Sequence, residues 1–159
     1  MHFLTPADLR GLDARALEEL LGRRELVVAF GEGELGGIAA AALLFADYAV
    51  LRSGARLRVD GPEAWAGAVW RLGKRTLNWA VDGEKQEELV DEITSKDSTL
   101  WLQEWMQHRS VIALDAAAAL IRGRGGDSLE RAEFARLFAL GEPQKGLDAF
   151  LAKVRPSYS

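Results

Sequence analysis

The sequence predicts an α/β protein in which short strands come first and helices follow. Residues 26–30, Leu-Val-Val-Ala-Phe, form a valine-rich apolar run of the kind that makes a buried strand. Arg56 to Val59 alternates polar and apolar residues after a Ser53-Gly54 turn, as a half-buried strand does. Beyond Pro62, apolar residues recur at near-helical spacing to the end of the chain. A chain of 159 residues fits one domain and is large enough to bury a core.

Taken in order, Thr5-Pro6-Ala7-Asp8 offers a helix cap with proline in the first turn. Asp13 can cap a second helix whose Leu17, Leu20 and Leu21 share one face. After the strand at 26–30, a helix is expected over about Gly37 to Ala46, then a strand over Tyr48 to Leu51 and one over Arg56 to Val59. Asp97 or Ser98 can cap a long helix to about Arg122, carrying Trp101, Trp105, Ile112 and Leu120. Gly123 to Gly126 is expected to end it, glycine supplying the left-handed conformation found at helix C-termini. Asp127 or Ser128 opens another helix, and Glu142-Pro143 the last. No internal repeat is visible. The expected division is a core over residues 1–96 and a helical region over 97–159.

A net charge of −4 argues against a nucleic-acid partner, whose phosphates attract an excess of Lys and Arg. The absence of cysteine excludes disulfides, thiolate metal sites and cysteine nucleophiles. His2 and His108 are too far apart in sequence to read as a metal pair, so no metal is expected. No run reaches the length of a membrane span, and no signal-peptide pattern opens the chain, so a cytoplasmic protein without membrane contact is expected.

Gly31, Gly33 and Gly36 spell G-x-G-x-x-G between a strand and a helix, the spacing of a dinucleotide-binding turn. Glycine there lets the backbone approach an anion while helix N–H groups point at it. Against that reading, Glu32 and Glu34 lie inside the loop and would repel a pyrophosphate. Arg52-Ser53 stands where an acidic residue is expected at the end of the next strand, and regular strand–helix alternation is lacking. Glycines that only turn the chain tightly remain the plain alternative.

A further reading comes from resemblance. Leu26-Val27-Val28-Ala29-Phe30, Leu35-Gly36-Gly37, Ala46-Asp47 and Ala55-Arg56-Leu57 resemble the crotonase family of enoyl-CoA hydratases and isomerases. Towards the C-terminus, Leu129-Glu130-Arg131, Phe134-Ala135, Leu137-Phe138, Gly146, Ala149-Phe150-Leu151, Lys153, Arg155-Pro156 and Tyr158 are similar to the family's closing helices in order and spacing. The resemblance spans about residues 13 to 159. It implies a shortened crotonase-like (ββα-spiral) α/β core with a helical C-terminal oligomerisation region.

The resemblance implies that the backbone N–H of Gly37 is one donor of an oxyanion hole for the thioester carbonyl of an acyl-CoA. The second donor comes from an earlier strand-turn that has no counterpart among the residues before Leu26. Ala40 or Ala41 falls where the first hydratase glutamate would stand. The second falls at Gly61 by direct counting, or at Glu63 if two residues are inserted so that Pro62-Glu63 and Gly67 match the family's P-E-x-x-x-G. Glu63 is therefore the candidate catalytic carboxylate, against the reading of a solvated glutamate in a first helical turn. Trp65 and Trp70 could fill volume that a substrate would occupy. Phe134 and Lys153 are the candidate CoA contacts towards a neighbouring subunit, against readings as packing and as an exposed charge. The implied protein binds an acyl-CoA thioester without a permanent cofactor, has lost or weakened hydratase chemistry, and forms a trimer or a dimer of trimers. The alternative is a non-catalytic interaction or structural protein that keeps the oligomerisation helices.

Overall fold

The computed structural model describes residues 1–76, 79–80, 85–122 and 127–158, with only the backbone described at Arg122 and Asp127. The expected Gly123–Gly126 helix stop lies outside the described residues. The chain divides into two compact units, one of His2–Arg23 and Val27–Ser98, the other of Met1, Arg24–Leu26 and Thr99–Ser159.

The first unit begins with β1 (His2–Leu4), α1 (Pro6–Gly11) and α2 (Ala14–Leu21). Thr5 and Asp8 cap α1 reciprocally, each side chain taking the other residue's backbone N–H, and Asp13 caps α2. Next come β2 (Val27–Gly31), β3 (Glu34–Leu35) and α3 (Gly37–Phe45), then β4 (Tyr48–Arg52), β5 (Arg56–Leu57) and α4 (Gly61–Leu72), and finally β6 (Glu92–Thr94). Strand, short strand and helix thus occur twice in succession. One parallel sheet runs β1-β2-β4-β6, and a second pairs β3 with β5. This is a ββα spiral, each turn laying one strand on each sheet and returning through a helix.

Three strands were not expected from sequence. β1 and β6 have three residues each and β3 two, too short for a period to register, and the neighbouring strand defines each of them. Strand–helix alternation, judged lacking from sequence, is therefore present in this unit.

Residues Ala40 to Leu44 of α3 are completely buried, as a helix apolar on every side must be. α3 packs against α4, α1, α2 and the sheet, and alanine lets those partners come close. Two aspartates lock successive turns of the spiral. Asp47 accepts from the Val27 N–H at 2.7 Å while its own N–H donates to the Val27 carbonyl at 2.9 Å. Asp91 does the same with Ala49, at 2.7 and 2.9 Å. Arg71 donates to Asp91 and to the carbonyls of Leu44 and Ala46, which satisfies the end of α3.

The second unit holds α5 (Ser98–Gln107) from Thr99 onward, α6 (Val111–Arg122), α7 (Asp127–Ala139) and α8 (Glu142–Ala152). The single helix expected from residue 97 or 98 to 122 is broken at His108–Ser110. The Ser110 hydroxyl accepts the Ala113 N–H at 3.1 Å and donates to Glu142, so it starts a new helix instead of continuing the old one. His108 takes part in the break by pairing with the Pro156 carbonyl at 3.0 Å.

Candidate functional site

The site in the first unit is built on the turn into α3. Gly31 closes β2 where a Cβ would lie 2.4 Å from Leu35 Cδ1 and 2.9 Å from Leu51 Cδ2, so it permits close packing. Gly33 and Gly37 have φ of +75° and +53°, a region that glycine enters without penalty. Gly36 is the N-cap of α3 and has no side chain with which to cap it. The Gly37 N–H instead donates to Asp60 Oδ1, 23 residues further along, at 2.7 Å. Gly61, at φ +83°, makes the turn that delivers Asp60.

Asp60 is held at both oxygens. Its Oδ2 accepts from Arg58 Nη2 at 2.6 Å, and Arg58 Nη1 donates to Glu34 Oε1 at 2.9 Å. The Gly37 N–H, and after it the Arg58 guanidinium, holds the Asp60 carboxyl below the usual carboxylate range. A Cβ on Gly36 would lie 2.9 Å from Asp60 Oδ1, so glycine is what lets the carboxylate come this close. Around the group lies an open cavity of about 600 Å³ lined by Glu34, Gly36, Gly37, Arg58, Asp60 and Gly61.

Glu32, expected to repel a pyrophosphate, is paired with Arg52, and Glu34 is paired with Arg58. The loop's acids and the arginines facing them thus neutralise each other. Asp60, Arg58 and Glu34 were not identified as site residues from sequence. Their only signal was an Arg-x-Asp spacing before Gly61-Pro62, which reads as an ordinary helix entry.

Ala40 and Ala41 are completely buried, so whichever stands at the first carboxylate position contributes only packing. Glu63 is exposed in the first turn of α4 and is not among the residues lining the cavity. Trp65 and Trp70 do not line it either. Trp65 packs edge-on to Trp79 with ring centroids 5.9 Å apart, and Trp70 tilts against Phe45 at 6.3 Å. Their place on α4 follows helical spacing.

Phe134 and Lys153 belong to the second unit. Phe134 is 63% exposed on α7, its ring 4.6 Å from that of Phe138. Lys153 is exposed at the end of α8 with φ +56°, the left-handed conformation of a C-cap. This unit has a cavity of its own, about 530 Å³, whose lining includes Arg109, Ser110, Glu142, Lys145 and Tyr158. Glu142 is 6% exposed, and Lys145 first, then Ser110, lowers its pKa. Among the described residues no cluster of carboxylates and histidines is placed to hold a metal, and no helix is long and apolar enough to cross a membrane.

Two parallel sheets wound with helices as a ββα spiral, with a glycine turn opening α3, define the crotonase fold. Solved structures of enoyl-CoA hydratase/isomerase family members share it with this chain. An enoyl-CoA hydratase/isomerase family protein from Hyphomonas neptunium superimposes with a TM-score of 0.60 at 21% identity, over 92% of this chain and 65% of that one. An enoyl-CoA hydratase from Polaromonas sp. JS666 gives 0.59 at 21% identity, over 97% and 68%. An enoyl-CoA hydratase/carnithine racemase from Magnetospirillum magneticum gives 0.61 at 18%, over 91% and 63%. The chain thus spans about two thirds of the length of the structures it resembles. No family model and no curated protein sequence matches it.

Proposed function

We propose that this chain is an acyl-CoA-binding member of the enoyl-CoA hydratase/isomerase family whose hydratase chemistry is lost or much weakened. The observation that carries the reading is the Gly37 N–H at the start of α3, which donates to Asp60 Oδ1 at the lining of an open cavity in a crotonase fold. A backbone N–H at a helix N-terminus stabilises the charge that develops on a thioester oxygen when a proton leaves the α-carbon. Hydration needs more than that. It requires carboxylates to position and activate water, and alanine occupies either possible position of the first.

Negligible hydration of a short enoyl-CoA by the purified protein is therefore expected. The alanines carry this expectation, because β1 (His2–Leu4) and its turn into α1 give the chain a strand and turn ahead of β2, where the sequence alone predicts only helix. A turnover near the common enzymatic value of roughly 10 per second would overturn the reading. Moving a double bond needs one base and no water, so Glu63 is the group to test for isomerisation. If an isomerase activity is present, Glu63→Gln should abolish it with little effect on folding. Full activity in that variant would remove Glu63 from the site.

The second reading is a non-catalytic protein that keeps its self-association helices. The observation favouring it is the exposed apolar surface of α7 and α8, where Phe134, Phe138, Leu147, Phe150 and Leu151 are each more than half exposed. Both readings place other copies of this chain, as a trimer or a dimer of trimers, against residues 97–159. Calorimetric titration with an acyl-CoA separates them: saturable binding supports the first and its absence the second.

A further inference from the structure

We propose that Asp60 is a built-in occupant of the Gly37 donor: its carboxylate fills the place of a ligand's carbonyl oxygen, and an acyl thioester must displace it to bind. The proposal rests on the reading of Gly37 as a thioester donor.

Four observations carry it. Asp60 Oδ1 accepts the Gly37 N–H at 2.7 Å, the distance of a charge-assisted bond. One donor hydrogen in this geometry serves one strong acceptor, so carboxylate and carbonyl exclude each other. The occupant is clamped, because Arg58 holds the second oxygen and Glu34 holds Arg58. The approach is also built into the backbone: Gly36 has no Cβ to block the carboxylate, and Gly61 takes the left-handed turn that aims it. Finally, the contact faces an open cavity lined by these same residues, so the carboxylate has solvent to move into.

Two consequences follow from charge. While Asp60 is in place, a full negative charge stands where an enolate oxygen would develop, which opposes enolisation. Once Asp60 moves out, that charge leaves the Gly37 N–H, and Glu34 and Arg58 remain as a neutral pair lining the same cavity. The apparent affinity of the chain for an acyl thioester is reduced by the fraction of molecules in which Asp60 is in place.

The test uses the full chain, butanoyl-CoA as probe, and the Gly37 amide resonance as reporter. Asp60→Ala should shift the Gly37 amide proton upfield and speed its exchange with solvent. The same variant should bind butanoyl-CoA about tenfold or more tightly than the unmodified chain, the ligand perturbing the Gly37 resonance. Arg58→Gln, which loosens the clamp and leaves the carboxylate, should raise affinity by a smaller factor. It provides the same comparison if Asp60→Ala does not fold. Equal affinity in all three proteins, with Gly37 perturbed by ligand in each, would overturn the proposal and leave Gly37 as the thioester donor. A Gly37 amide unchanged by Asp60→Ala would also overturn it. Absence of binding in every variant, with the Gly37 amide freed as expected, would refute both claims and reduce Asp60 to a cap on α3.

Discussion

Gly67 shows how one missing methyl sets the distance between two helices. It is buried on α4, and a Cβ there would lie 2.7 Å from Leu44 Cβ and 3.5 Å from the Ala41 carbonyl of α3. Leu44 Cβ is fixed to the backbone, so no rotamer change can relieve the clash. Alanine would gain about 1 kcal/mol in helix propensity, but overpacking a well-filled interface costs about 1–3 kcal/mol. Gly67→Ala should therefore lower stability by roughly 1 kcal/mol, read as a fall in the urea midpoint at unchanged slope. An unchanged or higher midpoint would mean that the two helices separate freely. Family resemblance singled out Gly67 as the last position of P-E-x-x-x-G, and packing against Leu44 supplies a reason for it. Asp60 is the opposite case, because nothing near it in sequence indicates that its partner is the N–H of Gly37.

At the scale of elements, the capped helix starts were legible because caps are local. Thr5 with Asp8, and Asp13 with the Ala16 N–H, act within one turn and appear in the chain as written. The break between α5 and α6 was not legible. Residues 107–111 contain neither glycine nor proline, and the partner that makes Ser110 a helix start, Glu142, lies 32 residues away. Ser110→Ala removes both the cap of α6 and a donor to a buried carboxylate. It should cost about 1–2 kcal/mol in chemical denaturation. A loss of only a few tenths would show that α6 starts without this hydroxyl.

At the scale of the whole molecule, self-association and acid sensitivity are the properties to measure. Phe134, Phe138, Leu147, Phe150 and Leu151 lie open on α7 and α8, and burying a large apolar side chain contributes about 1.5–3 kcal/mol. A homo-oligomer formed through residues 97–159 is therefore expected in light scattering at micromolar concentration. Phe138→Asp should dissociate or unfold it by setting a charge in apolar surroundings. A monodisperse unmodified monomer would refute this. Acid should act through Asp8, Asp60 and Glu142, whose pKa values are all lowered in the folded chain. The causes are led by Thr5, the Gly37 N–H and Lys145 respectively. Their contribution is fully present above the ordinary carboxylate pKa and is lost as pH falls through the lower folded values, because the unfolded chain takes up protons first. Melting temperatures should thus show little effect of these groups from about pH 7 to 5 and fall below about pH 4. Glu142→Gln should make that fall shallower, and a parallel curve would exclude Glu142 as a contributor.

By itself the sequence determined the longer elements: the buried strand before the glycines, the apolar α3, and the helix starts at Pro6, Ala14 and Glu142. In each, the signal is a period or a cap contained within a few residues. Only the tertiary structure decided the strands of two or three residues, whose hydrogen bonds all go to a neighbouring strand. It also decided what the glycine turn faces. The chain announces close approach of the backbone to an acidic or carbonyl oxygen, but the oxygen in place belongs to Asp60, brought there by a second turn of the spiral. Partners so far apart in sequence leave no local pattern, because the spiral alone sets the distance between them.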